Sequence, residues 1–153
     1  MAVPDRPPAP EPLPLPVTDN HAHLDIVRHG DTSGMPVGAA LVAAAAVGVT
    51  RVIQVACEVE SIRALPALLD AHPSVVGAVA IHPNDAARLG ERLPAELARL
   101  AALVGSSDRV RAVGETGLDY FRTTDAAGQA LQKEAFAAHI AWAKEHDLAL
   151  VIH

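Results

Sequence analysis

From Val17 onward, short β-type runs alternate with longer Ala- and Leu-rich stretches, and this alternation restricts the fold more than any other feature. It is the pattern of βα units around a parallel sheet. Strands are expected over 17–23, 51–56, 75–81, 110–115 and 148–152, with helices over 37–47, 61–71, 94–104 and 125–145. The strand ends fall near His23, Ala56, His82, Glu115 and His153, so successive units span 33, 26, 33 and 38 residues. A βαβ unit needs about 30. In the last helix Leu131, Ala135, Ala138 and Trp142 recur at helical spacing, with Phe136 and Ile140 widening the stripe. The Trp and Phe read as packing residues.

Ahead of the repeat, prolines at 4, 7, 8, 10, 12, 14 and 16 remove the donors and the backbone freedom a helix requires. Residues 1–16 are expected to form a disordered, polyproline-like arm that does not resemble a secretory signal. Residues 17–153 then form one domain. No apolar run approaches the roughly 20 residues of a membrane span. With 12 basic and 18 acidic side chains the formal charge is -6, which argues against a partner held mainly by a basic surface. A nucleic acid has to be met by local charge, which bound cations supply. Cys57 is the only cysteine, so no internal disulfide forms and a reducing cytoplasm is the expected setting.

Polar residues that are costly to bury stand at the strand ends. His21 and His23 are two apart, so on a strand both point to one face and suit chelation of one cation. His82 follows the third strand, Glu115 the fourth, and His153 ends the fifth. Glycines at 114 and 117, on either side of the acid, suggest backbone that passes close to something. The C-terminal edge of a parallel sheet is where α/β sites are built. In an open sheet of order 2-1-3-4-5 the first and fifth strands stand three spacings apart, about 14 Å, too far for one compact centre. Closure into a ring brings their ends toward a common axis. The expectation is therefore a TIM-type (β/α)8 barrel, here truncated after about five βα units, even though this length would complete an open doubly wound sheet.

The segments DNHAHLD, IHPND, GETGLDYF and LVIH, in this order, resemble the TatD family of metal-dependent hydrolases and deoxyribonucleases in the amidohydrolase superfamily. The resemblance runs from about Thr18 to His153. It implies that His21 and His23 bind one ion, that Glu115 contacts two, that His153 binds the second, and that His82 lines the pocket near the substrate phosphate. Two divalent ions, Mg, Mn or Zn, are implied, and so is hydrolysis of phosphodiester bonds at DNA ends. His139 stands where the family often has Gln, and Ala149 where it often has Pro. The family's further histidine on a sixth strand and aspartate on an eighth lie beyond residue 153, so this chain is expected to be an incomplete form.

Other readings of the residues stay open at this point. Asp25 either orients a first-strand ligand or is a solvated loop aspartate. Cys57 reads as a small buried thiol rather than a nucleophile. His29, His72 and His146 read as surface residues. The alternative functions are another metal hydrolase acting on small esters or amides, and a non-catalytic remnant or open-sheet binding module.

Overall fold

The computed structural model describes residues 8–25 and 34–153. The first seven residues of the arm, and His29, lie outside the described residues. Residues 8–16 are exposed and carry no helix or strand. Their end is tied down, because Leu13 N–H donates to the Val47 carbonyl at 3.0 Å and Val17 N–H to that of Gly48 at 2.9 Å.

The elements run β1 (Val17–Ala22), α1 (Val37–Ala46), β2 (Val49–Ala56), α2 (Val59–Ala71), β3 (Val75–Val79), α3 (Pro83–Leu89), a 3₁₀ turn at Gly90–Arg92, α4 (Leu93–Leu103), β4 (Val110–Thr116), α5 (Ala126–Glu145) and β5 (Ala149–Ile152). All five expected strands form. The helix α3 was not anticipated; at seven residues it is too short to show a periodicity. Its start is nonetheless chemically marked by Pro83 at its first turn and by His82, whose Nδ1 accepts Asn84 N–H at 3.2 Å.

The strands are parallel and lie in chain order, β1-β2-β3-β4-β5. This order overturns the open doubly wound alternative, which needs a reversal of strand order to place helices on both faces. Crossovers of one hand with no reversal put every helix on one face, so the other face is covered only by curling the sheet on itself. The two faces carry separate apolar groups. Outward, Val75, Val79, Val110 and Val113 pack with Leu65, Leu69, Leu97 and Leu100 of α2 and α4. Inward, Val55, Ala78 and Ala112 pack with the partly buried Ile53 and Val151. The result is five strands of a TIM-type barrel wall, curled around an inner layer of small and branched side chains.

Helix α5 turns a different stripe to the sheet from the expected one. Its buried residues are Gly128, Gln132, Ala135, His139 and Ala143, while Ile140 is exposed and Leu131, Ala138 and Trp142 flank the core. Hydrophobicity misplaced the face because two of its central residues are polar groups satisfied inside the protein. His139 is fully buried, with Nε2 accepting Ile81 N–H and Nδ1 2.6 Å from Thr116 Oγ1. Burial pushes its pKa down to about 4.

On the opposite rim Arg109 ties α2 to β3. Its guanidinium donates to the carbonyls of Leu69, His72 and Val75, satisfying acceptors at the C-terminal end of α2 and the start of β3. Arg109→Met is expected to lower unfolding stability by about 2 kcal/mol, and Arg109→Lys to recover only part, since one ammonium does not span three carbonyls. Denaturant titration of the three proteins checks this. His139 gives a second expectation. Its folded pKa lies below the ordinary 6.5, so as pH falls the unfolded chain takes up the proton first. Its contribution is complete above about pH 6.5 and is lost toward pH 4, by as much as about 3 kcal/mol. A His139→Gln protein should lack that part of the slope in the same window.

Candidate metal centre

The first donor group is built where β1 ends. The rings of His21 and His23 lie edge to face with centroids 5.2 Å apart. His23 Nδ1 is 2.9 Å from the carbonyl of Val55 on β2. A carbonyl only accepts, so the ring proton sits on Nδ1 and a neutral His23 turns the lone pair of Nε2 toward the sheet axis. The residues that follow are clamped to β2 and α2. Gln54 Oε1 accepts Leu24 N–H at 2.7 Å, Gln54 Nε2 donates to Asp25 Oδ1 at 2.5 Å, and Ser61 donates to the other Asp25 oxygen. Of the two readings of Asp25, the structure shows the bonded one: it anchors the chain just past His23.

Glu115 faces this pair because of a break in the ladder beside it. Gly114 is opposite Val151 and Thr116 opposite Ile152, so Glu115 is an unpaired extra residue, an irregularity that re-aims a side chain. Gly114 permits the approach, since a Cβ there would stand 2.4 Å from Val151 Cβ and 2.6 Å from its carbonyl oxygen. The carboxylate then reaches across the sheet. Its Oε2 is 3.3 Å from His21 Nε2 and 4.0 Å from His23 Nε2, although β4 and β1 are three strand spacings apart, about 14 Å in a flat sheet. Its Oε1 is 2.5 Å from His153 Nδ1, just past β5. Burial works against the charged form of Glu115, but the His153 contact and the surrounding imidazoles outweigh it and hold the carboxyl below its usual range.

His82 and His153 complete a second group, with His82 Nε2 3.2 Å from His153 Nδ1. His153 Nε2 faces Asp119 Oδ2 at 3.5 Å while its Nδ1 lies 2.5 Å from Glu115 Oε1, so the ring stands between two carboxylates, one at each nitrogen. Asp119 is itself fixed: it accepts from Arg122 N–H, Asn84 Nδ2 and Arg122 Nη1, each at 2.9 Å, and these bonds hold its carboxyl well below the usual range. Gln132, buried in α5, accepts from Asp119 N–H at 2.8 Å and donates to the Asp119 carbonyl and Thr123 Oγ1. His82 differs from the others. Its Nδ1 already accepts Asn84 N–H, so a neutral ring carries its proton at Nε2 and shows the site a donor. Burial first, and then the neighbouring His153, lowers its pKa and favours that neutral form.

The donor chemistry fits cations. An ionised carboxylate only accepts, and His23 Nε2, whose lone pair faces the same space, also accepts, so their convergence calls for positive charge between them. Two sets of three donors lie within 4.8 Å of one another, His21, His23 and Glu115 in one and His82, Glu115 and His153 in the other. Imidazole with carboxylate suits Zn, Mn and related divalent ions. A cavity of about 690 Å³ opens beside them, lined by His23, Cys57, His82, Asn84, Glu115 and Arg122. Burial, and then the carboxylates of Glu115, Glu58 and Asp25, push the Cys57 thiol up to about 12, so it stays protonated and unreactive at neutral pH.

The structure thus brings all five sequence-predicted site residues, His21, His23, His82, Glu115 and His153, to one rim. His72 and His146 lie away from it, half-buried and exposed respectively. Sequence reasoning missed Asp119, Asn84, Gln54, Ser61 and Gln132. Asp119, in GETGLDYF, and Asn84, in IHPND, carried a visible signal; Gln54, Ser61 and Gln132 are polar residues in ordinary strand and helix positions, and the partners of Gln54, Ser61 and Asn84 are 29 to 36 residues away.

Comparison with known proteins agrees with this geometry. A family model described as TatD related DNase matches residues 18–153. A metal-dependent hydrolase named TatD from Mycobacterium tuberculosis (strain ATCC 25618 / H37Rv) is 41% identical over 142 residues, covering 90% of this chain and 51% of that protein. The Bacillus subtilis (strain 168) metal-dependent hydrolase YabD is 33% identical over 135 residues, covering 88% and 49%. The chain spans about half the length of these curated relatives. Among solved structures, the crystal structure of YJJV, a TatD homologue from Escherichia coli K12, superposes with a TM-score of 0.71 at 28% identity, covering 89% of this chain and 49% of that one. A Saccharomyces cerevisiae amidohydrolase, at 18% identity and a TM-score of 0.61 over 84% of this chain and 44% of that one, shares the fold. With a family model matched from Thr18 to His153 and strand-end donors meeting at Glu115, the chain belongs to the TatD-related DNase family of metal-dependent hydrolases.

Proposed function

We propose that this chain supplies the centre of a divalent-metal-dependent hydrolase that cleaves phosphodiester bonds at DNA ends. The observation that carries the proposal is the meeting of one carboxylate, Glu115, with imidazoles from the ends of three other strands. His21, His23 and Glu115 would hold one ion, and Glu115 with His153 a second, of the Mg, Mn or Zn class. Bound there, divalent ions supply Lewis-acid polarisation of the phosphodiester and lower the pKa of water at the site. Glu115 acts as the shared carboxylate, fixing the separation of the two groups with one oxygen turned to each. His82 offers its Nε2 proton to a non-bridging phosphate oxygen, a hydrogen bond that strengthens as charge develops there. With an ion in place of the Nδ1 proton, Asp119 would hold the His153 ring from its Nε2 side.

A chain of net charge -6 recruits DNA through such a centre rather than through its surface at large. The rim adds two features suited to a nucleic acid over a small ester. The loop locked by Asp119 and Gln132 displays Phe121, 90% exposed, and Tyr120, 40% exposed, and the next residue, Arg122, lines the cavity. Exposed aromatic faces beside a cation suit stacked bases and an adjacent phosphate. None of the described helices is long and apolar enough to cross a membrane. A single buried thiol, Cys57, suits a reducing cytoplasmic setting.

Glu115→Gln is the direct test. In calorimetric titration with Mn²⁺, this substitution should weaken ion binding by at least about tenfold. Release of nucleotides from end-labelled DNA should fall by at least about a hundredfold, assayed with the chain itself and with a chimaera that adds the half of a curated relative it does not match. Retained cleavage would remove Glu115 from its assigned place. For the substrate, Phe121→Ala should raise KM for single-stranded DNA several-fold and leave hydrolysis of a small chromogenic phosphodiester unchanged. Equal effects on both would count against base stacking at this loop.

A further inference from the structure

The second donor group lies where the sheet ladder no longer fixes the backbone. Strand β3 ends at Val79, so His82 stands beyond its last pair, and the β4–β5 ladder is interrupted at Glu115. One fully buried ring bridges these gaps. His139 accepts Ile81 N–H at Nε2, 3.3 Å, and a neutral imidazole that accepts there carries its proton on Nδ1, from which it donates to Thr116 Oγ1 at 2.6 Å. Ile81 immediately precedes His82, and Thr116 immediately follows Glu115. The Thr116 carbonyl in turn accepts His153 N–H at 2.8 Å. Every member of the trio is thus one residue or one hydrogen bond removed from a residue, Ile81 or Thr116, that His139 bonds directly.

We propose that His139 is a positioning residue, whose ring sets the separation of the ends of β3, β4 and β5 and thereby the spacing of His82 Nε2, Glu115 Oε1 and His153 Nδ1. The proposal rests on reading that trio as one functional group. Filling the space between α5 and the sheet does not by itself call for a polar ring. An aliphatic side chain fills it without the cost of burying two polar nitrogens. What the imidazole adds is direction, since it fixes two strand ends from one rigid plane.

Metal-free and metal-loaded measurements on the 153-residue chain test this separately. Long-range proton–nitrogen spectra of the imidazoles, recorded without metal, should show the His82 and His153 signals displaced in His139→Leu. His23 is held instead by the Val55 carbonyl, and His21 stands on β1, which pairs with β2, so both should keep theirs. His139→Gln, whose amide both accepts and donates, should restore the original pattern. In a Mn²⁺ titration His139→Leu should weaken the second binding event about tenfold, and His139→Gln should recover it. Unmoved His82 and His153 signals in His139→Leu would overturn the proposal, as would an equal displacement of all four rings, which marks general loosening. If His139→Leu fails to fold, Thr116→Val, which cuts the same connection at its middle, is read in its place. Absence of saturable Mn²⁺ binding by the unsubstituted chain would sink the metal-centre reading, while the metal-free spectra would still decide the role of His139.

Discussion

A carboxylate with no proton accepts hydrogen bonds and gives none, and in this chain one such group, Glu115, is shared between imidazoles carried by widely separated turns. That sharing constrains the sheet. A flat five-stranded sheet keeps β1 and β4 about 14 Å apart, yet Glu115 Oε2 and His21 Nε2 are separated by 3.3 Å. The curl that closes this distance also buries Val55, Ala78 and Ala112 against one another on the inner face. Fold and centre therefore answer the same geometric demand. An unbroken helix-covered outer face forces curvature, and curvature converges the strand ends.

Orientation of the donors is a second level of organisation, supplied mostly by the main chain. His23 is turned by the Val55 carbonyl, His82 by Asn84 N–H, and His139 by Ile81 N–H. Each contact settles which nitrogen bears the proton, and so whether the ring shows the site a lone pair or a donor. The outcome is not uniform. His23 presents a lone pair suited to an ion, while His82 presents a proton suited to an acceptor oxygen, although the two histidines stand on the same rim. Backbone partners of this sort are held by secondary structure, so the division of labour among the histidines is built into the fold.

Much of this was legible before any coordinates. The strand ends and the residues on them follow from local alternation and from polar groups standing where burial is costly, which is why His21, His23, His82, Glu115 and His153 could be named together. What stayed hidden depends on partners distant in sequence. Gln132 and His139 look like interruptions of an apolar stripe, and only the bonds to Asp119, Thr123, Ile81 and Thr116 show that they define the buried face of α5. Asp25 was ambiguous for the same reason, because Gln54 and Ser61 lie 29 and 36 residues away. Helix α3 escaped notice because seven residues give no periodicity, even though its Pro83 and His82 mark the start chemically.

The distribution of burial ties these levels together. The inner layer holds only small or branched residues, Val55, Ala78 and Ala112 with Ile53 and Val151 at its margins, whereas the outer layer is thick with leucines from α2 and α4. Helix α1 buries none of its residues, and Val42 on it is 72% exposed. Apolar burial thus concentrates on β2, β3 and β4, while β1 and β5 lie at the margins of the sheet and carry His21 and precede His153. The centre spans the least supported strands from a well supported one, with Glu115 on β4 as its hub. A divalent ion held by these donors would act where apolar packing is thinnest, favouring the arrangement in which both margins have come together. By linkage its affinity adds to the stability of the curled sheet.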